Sequence, residues 1–162
     1  MKKILLILMA MFVFGLQNVN AQENALKIVT NHPDFKIKVK RCAASGKTVV
    51  VDLILNNTGV NDIENLTVCG GRSLSEAYDD EGNIYQGDNL KVKVANRPDY
   101  KVYETDKFNI PTGVPIRLSI SIEGVPQSAE SIARLKIIFN CSAWGLGSDK
   151  PVKISNIPIS RD

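Results

Sequence analysis

The sequence predicts an all-β domain, an antiparallel β-sandwich of about seven to nine strands, preceded by a signal peptide. Three observations carry this. Apolar residues alternate with polar ones at period two in several segments, the clearest being Phe35, Ile37 and Val39 set between Lys36, Lys38 and Lys40. Turn residues separate about nine such segments at spacings of roughly 8–15 residues, the rhythm of an all-β domain. The one segment that competes as a helix, 128–138, is short and β-branched.

Each element follows from its residues. The Phe35–Lys40 strand leads through a turn at Ala43-Ala44-Ser45-Gly46 into Thr48–Leu55, whose Val-Val-Val-Asp-Leu-Ile-Leu suits a central strand. Asn56-Asn57-Thr58-Gly59 ends that hairpin with turn chemistry. Ile63–Cys69 is a third strand, stopped by Gly70-Gly71. Ser75–Tyr78 and Asn83–Gln86 flank Asp79-Asp80-Glu81-Gly82 as a second hairpin. Further strands fall at Leu90–Val94, within Tyr100–Ile110, at Val114–Glu123, Ile132–Phe139 and Val152–Ile159.

Residues 1–21 read as the signal peptide. Met1-Lys2-Lys3 is a short basic start, Ile4–Leu16 is an apolar run of 13 residues, and Val19 and Ala21 are the small residues of a cleavage site. The run is shorter than the ~20 residues of a bilayer span. No Cys precedes Cys42, which argues against a lipid anchor at the cut. Residues 22–33 are expected to form a flexible leader and 34–162 the sandwich. Export to the periplasm or the exterior follows, with no membrane anchor after cleavage.

Charge narrows the partners. The chain is +3 overall, but Lys2 and Lys3 leave with the signal, so 18 basic and 17 acidic side chains remain for a net of +1. That balance makes no case for nucleic acid. Export permits a disulfide among Cys42, Cys69 and Cys141. The pair Cys42–Cys141 is favoured because both sit at ends of expected strands, with three reduced, buried thiols as the alternative.

The motifs argue against catalysis. Ser45-Gly46-Lys47-Thr48 imitates a phosphate loop, but Arg41 stands where the first glycine belongs, and a strand follows instead of a helix. Asp79-Asp80-Glu81-Gly82-Asn83 imitates a calcium loop, but Ala77 falls at its first ligand position. His32 is the only histidine, and no metal-ligand or nucleophile-elbow motif occurs. No catalytic, metal or cofactor residue is therefore assigned. Lys36, Lys38 and Lys40 read first as a solvated face that discourages edge pairing, and second as a contact for an anionic polymer. Trp144, in the Gly-rich loop 142–147, is the leading ligand-contact candidate. Tyr78, Tyr85, Tyr100 and Tyr103 are candidates for a carbohydrate platform with it.

Three segments carry a resemblance: Cys42-Ala-Ala-Ser-Gly-Lys-Thr-Val-Val-Val-Asp-Leu-Ile-Leu-Asn-Asn, Ala77-Tyr-Asp-Asp-Glu-Gly-Asn-Ile-Tyr and Ile110-Pro-Thr-Gly-Val-Pro-Ile-Arg-Leu-Ser-Ile. Together they resemble small secreted immunoglobulin-like proteins of gut Bacteroidetes. They are also similar to domain families whose sandwich is like that of the mycobacterial secreted immunoprotective antigen. The resemblance covers roughly residues 35–160 and implies an immunoglobulin-like sandwich without agreed catalytic residues. The expected function is a non-catalytic binding or interaction module for a protein or a glycan. The alternatives are a small envelope hydrolase or inhibitor built on converging carboxylates, and a structural accessory of an exported assembly.

Overall fold

The computed structural model describes residues 25–30, 32–69, 75–101, 107–141, 145–147 and 150–161. The expected signal peptide and Trp144 lie outside these residues. The strands are β1 (Lys27–Val29), β2 (Phe35–Ser45), β3 (Thr48–Asn57), β4 (Ile63–Cys69), β5 (Glu76–Tyr78), β6 (Ile84–Tyr85), β7 (Leu90–Val94), β8 (Tyr100–Lys101), β9 (Lys107–Ile110), β10 (Ile116–Glu123), β11 (Ser131–Asn140), β12 (Val152–Pro158) and β13 (Ser160–Arg161). Seven of the described strands have five or more residues, and these are the ones that sequence periodicity reveals. The others are too short for a period to register. One short 3-10 turn, Gly87–Asn89, precedes β7. Among the described residues, no helix is long and apolar enough to cross a membrane.

Two sheets form the sandwich. One runs β13-β2-β3-β10-β7-β8, and the other runs β1-β12-β11-β4-β9, with β5 and β6 attached to β11. The pairing is antiparallel except for β13, which lies parallel to β2 through Ser160↔Ala43 and Arg161↔Ala44. β3 sits inside its sheet, with β2 on one side and β10 on the other. Its inward residues Val49, Val51, Leu53 and Leu55 are fully buried. They face the inward rows of β11 and β12, including Ile137 and Ile154. Phe35 of β2 and Phe139 of β11 meet edge to face between the sheets, with centroids 5.1 Å apart.

Local chemistry sets the turns. β2 runs to Ser45, past the expected turn at Ala43, and the β2–β3 turn is the two-residue Gly46-Lys47. Gly46 has φ +59° and Lys47 is not in the left-handed region, the pattern of a type II′ hairpin with Gly first. The β5–β6 hairpin is closed by Gly82 at φ +86°.

Two expectations change. Residues 27–29, assigned to a flexible leader, pair with Lys153–Ser155 of β12, because tertiary pairing recruits a segment too short to declare itself. The favoured Cys42–Cys141 bridge does not form, and both thiols are buried and free. The Phe35–Phe139 contact places the start of β2 beside the end of β11. Cys42 lies seven residues further along β2, roughly 23 Å at ~3.3 Å per residue. A disulfide needs Cα atoms within about 7 Å. Cys141 instead directs its Sγ to the Glu64 carbonyl at 3.2 Å.

Leu53 is fully buried at the centre of β3, so Leu53→Ala should destabilise the fold by about 3–4 kcal/mol in urea unfolding, through lost transfer energy and a residual cavity.

Candidate functional site

The two aspartates of the apparent calcium loop, and the Asn57 amide, are committed to the fold. Asp79 is buried, its Oδ1 accepts from the Glu81 and Asn83 amides at 3.1 and 2.8 Å, and its Oδ2 accepts from Asn83 Nδ2 at 2.9 Å and Tyr85 Oη at 2.6 Å. Burial pushes the Asp79 carboxyl up, but these hydrogen bonds outweigh it and hold the group below its ordinary value. Asp80 accepts from the Glu130 and Ser131 amides at 3.1 and 3.0 Å and so ties the hairpin to the start of β11. The apparent calcium loop is thus a turn fastened by its own carboxylates. Asn57, at the end of β3, donates from Nδ2 to the Asn61 carbonyl at 2.7 Å and the Ile110 carbonyl at 3.3 Å. Its Oδ1 accepts from Gly59 at 2.9 Å, so one buried amide joins the β3–β4 and β9–β10 loops.

The outer face of the β2-β3-β10-β7 sheet is built from cross-strand rows. Lys36 stands opposite Asn56, Lys38 opposite Ile54, and Arg41 opposite Asp52, with a β-bulge between Val39 and Arg41. On the other side of β3, Ile54 meets Arg117 and Asp52 meets Ser119. Asp52 points outward yet is buried, because Arg41 and Arg117 cover it. Arg41 Nε and Arg117 Nη2 donate to its Oδ2 at 3.0 and 2.8 Å, and Ser119 Oγ donates to Oδ1 at 2.6 Å. Burial raises the Asp52 carboxyl, but Ser119, Arg117 and Arg41 together overcome this and leave it lowered.

Next to this cluster lies an open groove of about 370 Å³ lined by Lys36, Ile37, Lys38, Ile54, Asn56, Gly113 and Pro115. On the β7 side of this face the lysines have partners: Lys91 pairs with Glu123, and Lys93 reaches Asp99 at 3.7 Å, whereas Lys40, exposed at the β2 bulge, makes no ion pair among the described residues. Lys36 and Lys38 are exposed and make no ion pair among the described residues. Asn56 Oδ1 is buried and accepts no hydrogen bond. The groove therefore combines an aliphatic floor, two free ammonium groups and one unmet acceptor. That set suits a ligand bearing carboxylates or other anions together with N–H or O–H donors. Val60, 93% exposed, and Val114, 46% exposed, stand on the two loops that Asn57 joins beside the groove.

The sequence-derived candidates fare differently. Tyr85 is buried against Asp79 and cannot stack on a ligand, whereas Tyr78 is half-buried on β5. Tyr103 and the Tyr100 side chain lie outside the described residues, as does Trp144. His32 accepts from the Asp34 amide through Nδ1 at 3.2 Å, a local turn contact. Sequence reasoning found Lys36 and Lys38 but missed Ile54, Asn56 and Pro115. The Asn56-Asn57 pair was visible only as turn chemistry, and the convergence of β2, β3 and the 111–115 loop is tertiary. A second open cleft, of about 470 Å³, carries Glu81 and Glu123 with Asn83, Asn89 and Pro126, and Lys91 pairs with Glu123 there. Among the described residues, no group of three or more His, Cys, Asp or Glu stands together as a metal site.

No protein-family model matches the chain, and no curated protein matches it significantly. In structure it is similar, at a TM-score of 0.43 and 12% identity, to part of a family 123 glycoside hydrolase from Clostridium perfringens described in connection with glycolipid glycan hydrolysis. The match covers 85% of this chain and 27% of that one, so the chain spans about a quarter of the enzyme's length.

Asp52→Ala should cost about 2–3 kcal/mol at pH 7, since it strips charged hydrogen bonds from two arginines. Because the folded-state value of Asp52 is depressed, its contribution is complete above the unfolded value of about 3.9 and is lost as pH falls through the folded value. Urea unfolding across that acid range should show the gap between wild type and Asp52→Ala closing. Burial pushes the Cys42 thiol up to about 12, against a weaker opposing pull from Arg161. Iodoacetamide at pH 7.5 should leave Cys42 unlabelled in the native protein and label it after denaturation, as read by mass spectrometry.

Proposed function

We propose that the protein is an exported, non-catalytic binding module that recognises an anionic partner, protein or glycan, through the groove beside Lys36 and Lys38. The observation that carries this reading is the pairing of two free, exposed ammonium groups with an aliphatic floor and the unmet Asn56 acceptor. Free charges at a rim steer an opposite charge and add on-rate, while the apolar floor supplies burial. The groove is framed by β-strands and by loops fastened through Asn57, so it stands ready without a large ordering cost. The apolar signal run and the absence of a Cys at the cut support export without a lipid anchor.

Two probes test the reading, hexagalacturonic acid and an acetylated, amidated (Glu-Val)5 peptide, each titrated into 15N-labelled protein. At least one should shift the resonances of Lys36, Lys38, Ile54 and Asn56. The double variant Lys36→Glu/Lys38→Glu should bind at least tenfold more weakly while unfolding at the same urea concentration. Silence of the groove towards both probes would overturn the reading. Turnover of a glycan that is lost in Glu81→Gln would replace it with the hydrolase that the Glu81–Glu123 cleft allows.

A further inference from the structure

The flank of β2 turned away from β3 is open. β13 meets β2 only at Ala43 and Ala44, and Ser160 Oγ donates to the Cys42 carbonyl at 2.9 Å. From Phe35 to Arg41, no strand pairs with this flank among the described residues. The register is regular from Phe35 to Val39, before the bulge; the Phe35 amide on this flank donates to the His32 carbonyl at 3.3 Å, so the open donors of the edge are those of Ile37 and Val39. Five residues at ~3.3 Å give about 17 Å of straight edge, the length of an ordinary strand.

Both faces at this flank are unfinished, and each in a different way. On the inner face, Ile37 and Val39 are only half-buried, although Leu55 and Leu53, their cross-strand partners on β3, are fully buried. Ile28 of β1, in the facing sheet, is half-buried as well. The core thus thins out at this side of the sandwich. On the outer face, Lys36 and Lys38 are exposed and carry no ion pair among the described residues.

We propose that the β2 flank takes up an extended segment of a partner protein whose side chains alternate aliphatic and acidic, adding a strand to the sheet. The proposal rests on the binding-module reading and names the class of partner. The added backbone completes the open ladder, its aliphatic residues cover Ile37 and Val39, and its acidic residues pair across the strand with Lys36 and Lys38. The same lysines act against a second copy of the chain, because antiparallel β2–β2 pairing sets lysines against lysines. The charges that block self-association therefore select an acidic strand.

Amide hydrogen exchange of 15N-labelled protein with (Glu-Val)5, and with (Lys-Val)5 as control, tests this. With the acidic peptide, the Ile37 and Val39 amides should exchange at least tenfold more slowly, and binding should weaken as NaCl rises. In Lys36→Glu/Lys38→Glu the preference should pass to (Lys-Val)5, a gain of binding that no folding defect can imitate. Peptide binding without protection of the β2 amides overturns the proposal, as does an unchanged preference in the double variant. A dimer with β2 already protected overturns it too, by giving the flank to a second copy. If hexagalacturonic acid shifts the groove while neither peptide protects β2, the strand proposal fails and the binding-module reading stands.

Discussion

Burial of one face of β3 is the constraint on which the rest depends. Val49, Val51, Leu53 and Leu55 point one way at period two, and each is fully enclosed. That enclosure needs a second sheet opposite, which β11 and β12 supply, and flanking strands on both sides, which are β2 and β10. Fully burying a Leu or Val contributes about 1.5–3 kcal/mol, so this row dominates the choice of register. A slip of one residue would turn Asp52 inward and Leu53 outward. The alternation that buries the leucines is also what holds Asp52, Ile54 and Asn56 on the outer face.

The polar residues of the domain divide into those the fold uses and those it leaves over. Asp79, Asp80 and Asp52 each answer several donors, Asn57 donates to the Asn61 and Ile110 carbonyls, and each fastens a turn, a loop pair or a set of neighbouring strands. Buried polar groups must find partners, so residues that look chemically active along a sequence are often absorbed in this way. Among the groups left over, Lys36, Lys38 and Asn56 Oδ1 are neighbours. The coincidence of leftover charge, a leftover acceptor and an open strand flank makes this corner of the sandwich distinctive.

The two sides of the sandwich are managed differently. At the β2 side, β1 lies in one sheet and β2, the next strand along the chain, in the other. β12 and β13 make a second crossing there, with Asn156 at φ +58° shortly before it. These crossings bring β13 onto the far end of β2 and leave its beginning free. A like-charged, partly bulged edge is a common guard against aggregation. Here the same guard carries information, because it excludes one class of strand and admits another.

Sequence alone determined the all-β class, the approximate positions of the long strands and the hairpin turn at Gly82, because these follow from local periodicity and turn stereochemistry; it began the first turn at Ala43, where β2 in fact runs on to Ser45. It also marked Lys36, Lys38 and Lys40 as a set, since their spacing puts them on one face, and the bulge at Lys40 leaves only the first two in regular register. It was silent on β1 and β13, whose two or three residues hold no period and pair only because the sheets place β12 and β2 beside them. It favoured a Cys42–Cys141 bridge that the inter-sheet packing of Phe35 on Phe139 forbids. The groove was equally out of reach, since Lys36, Asn56 and Pro115 meet only where β2, β3 and the β9–β10 loop converge. Local chemistry dictates which face a residue occupies, whereas sheet order and inter-sheet packing alone decide which neighbours it finds there and which edge stays open.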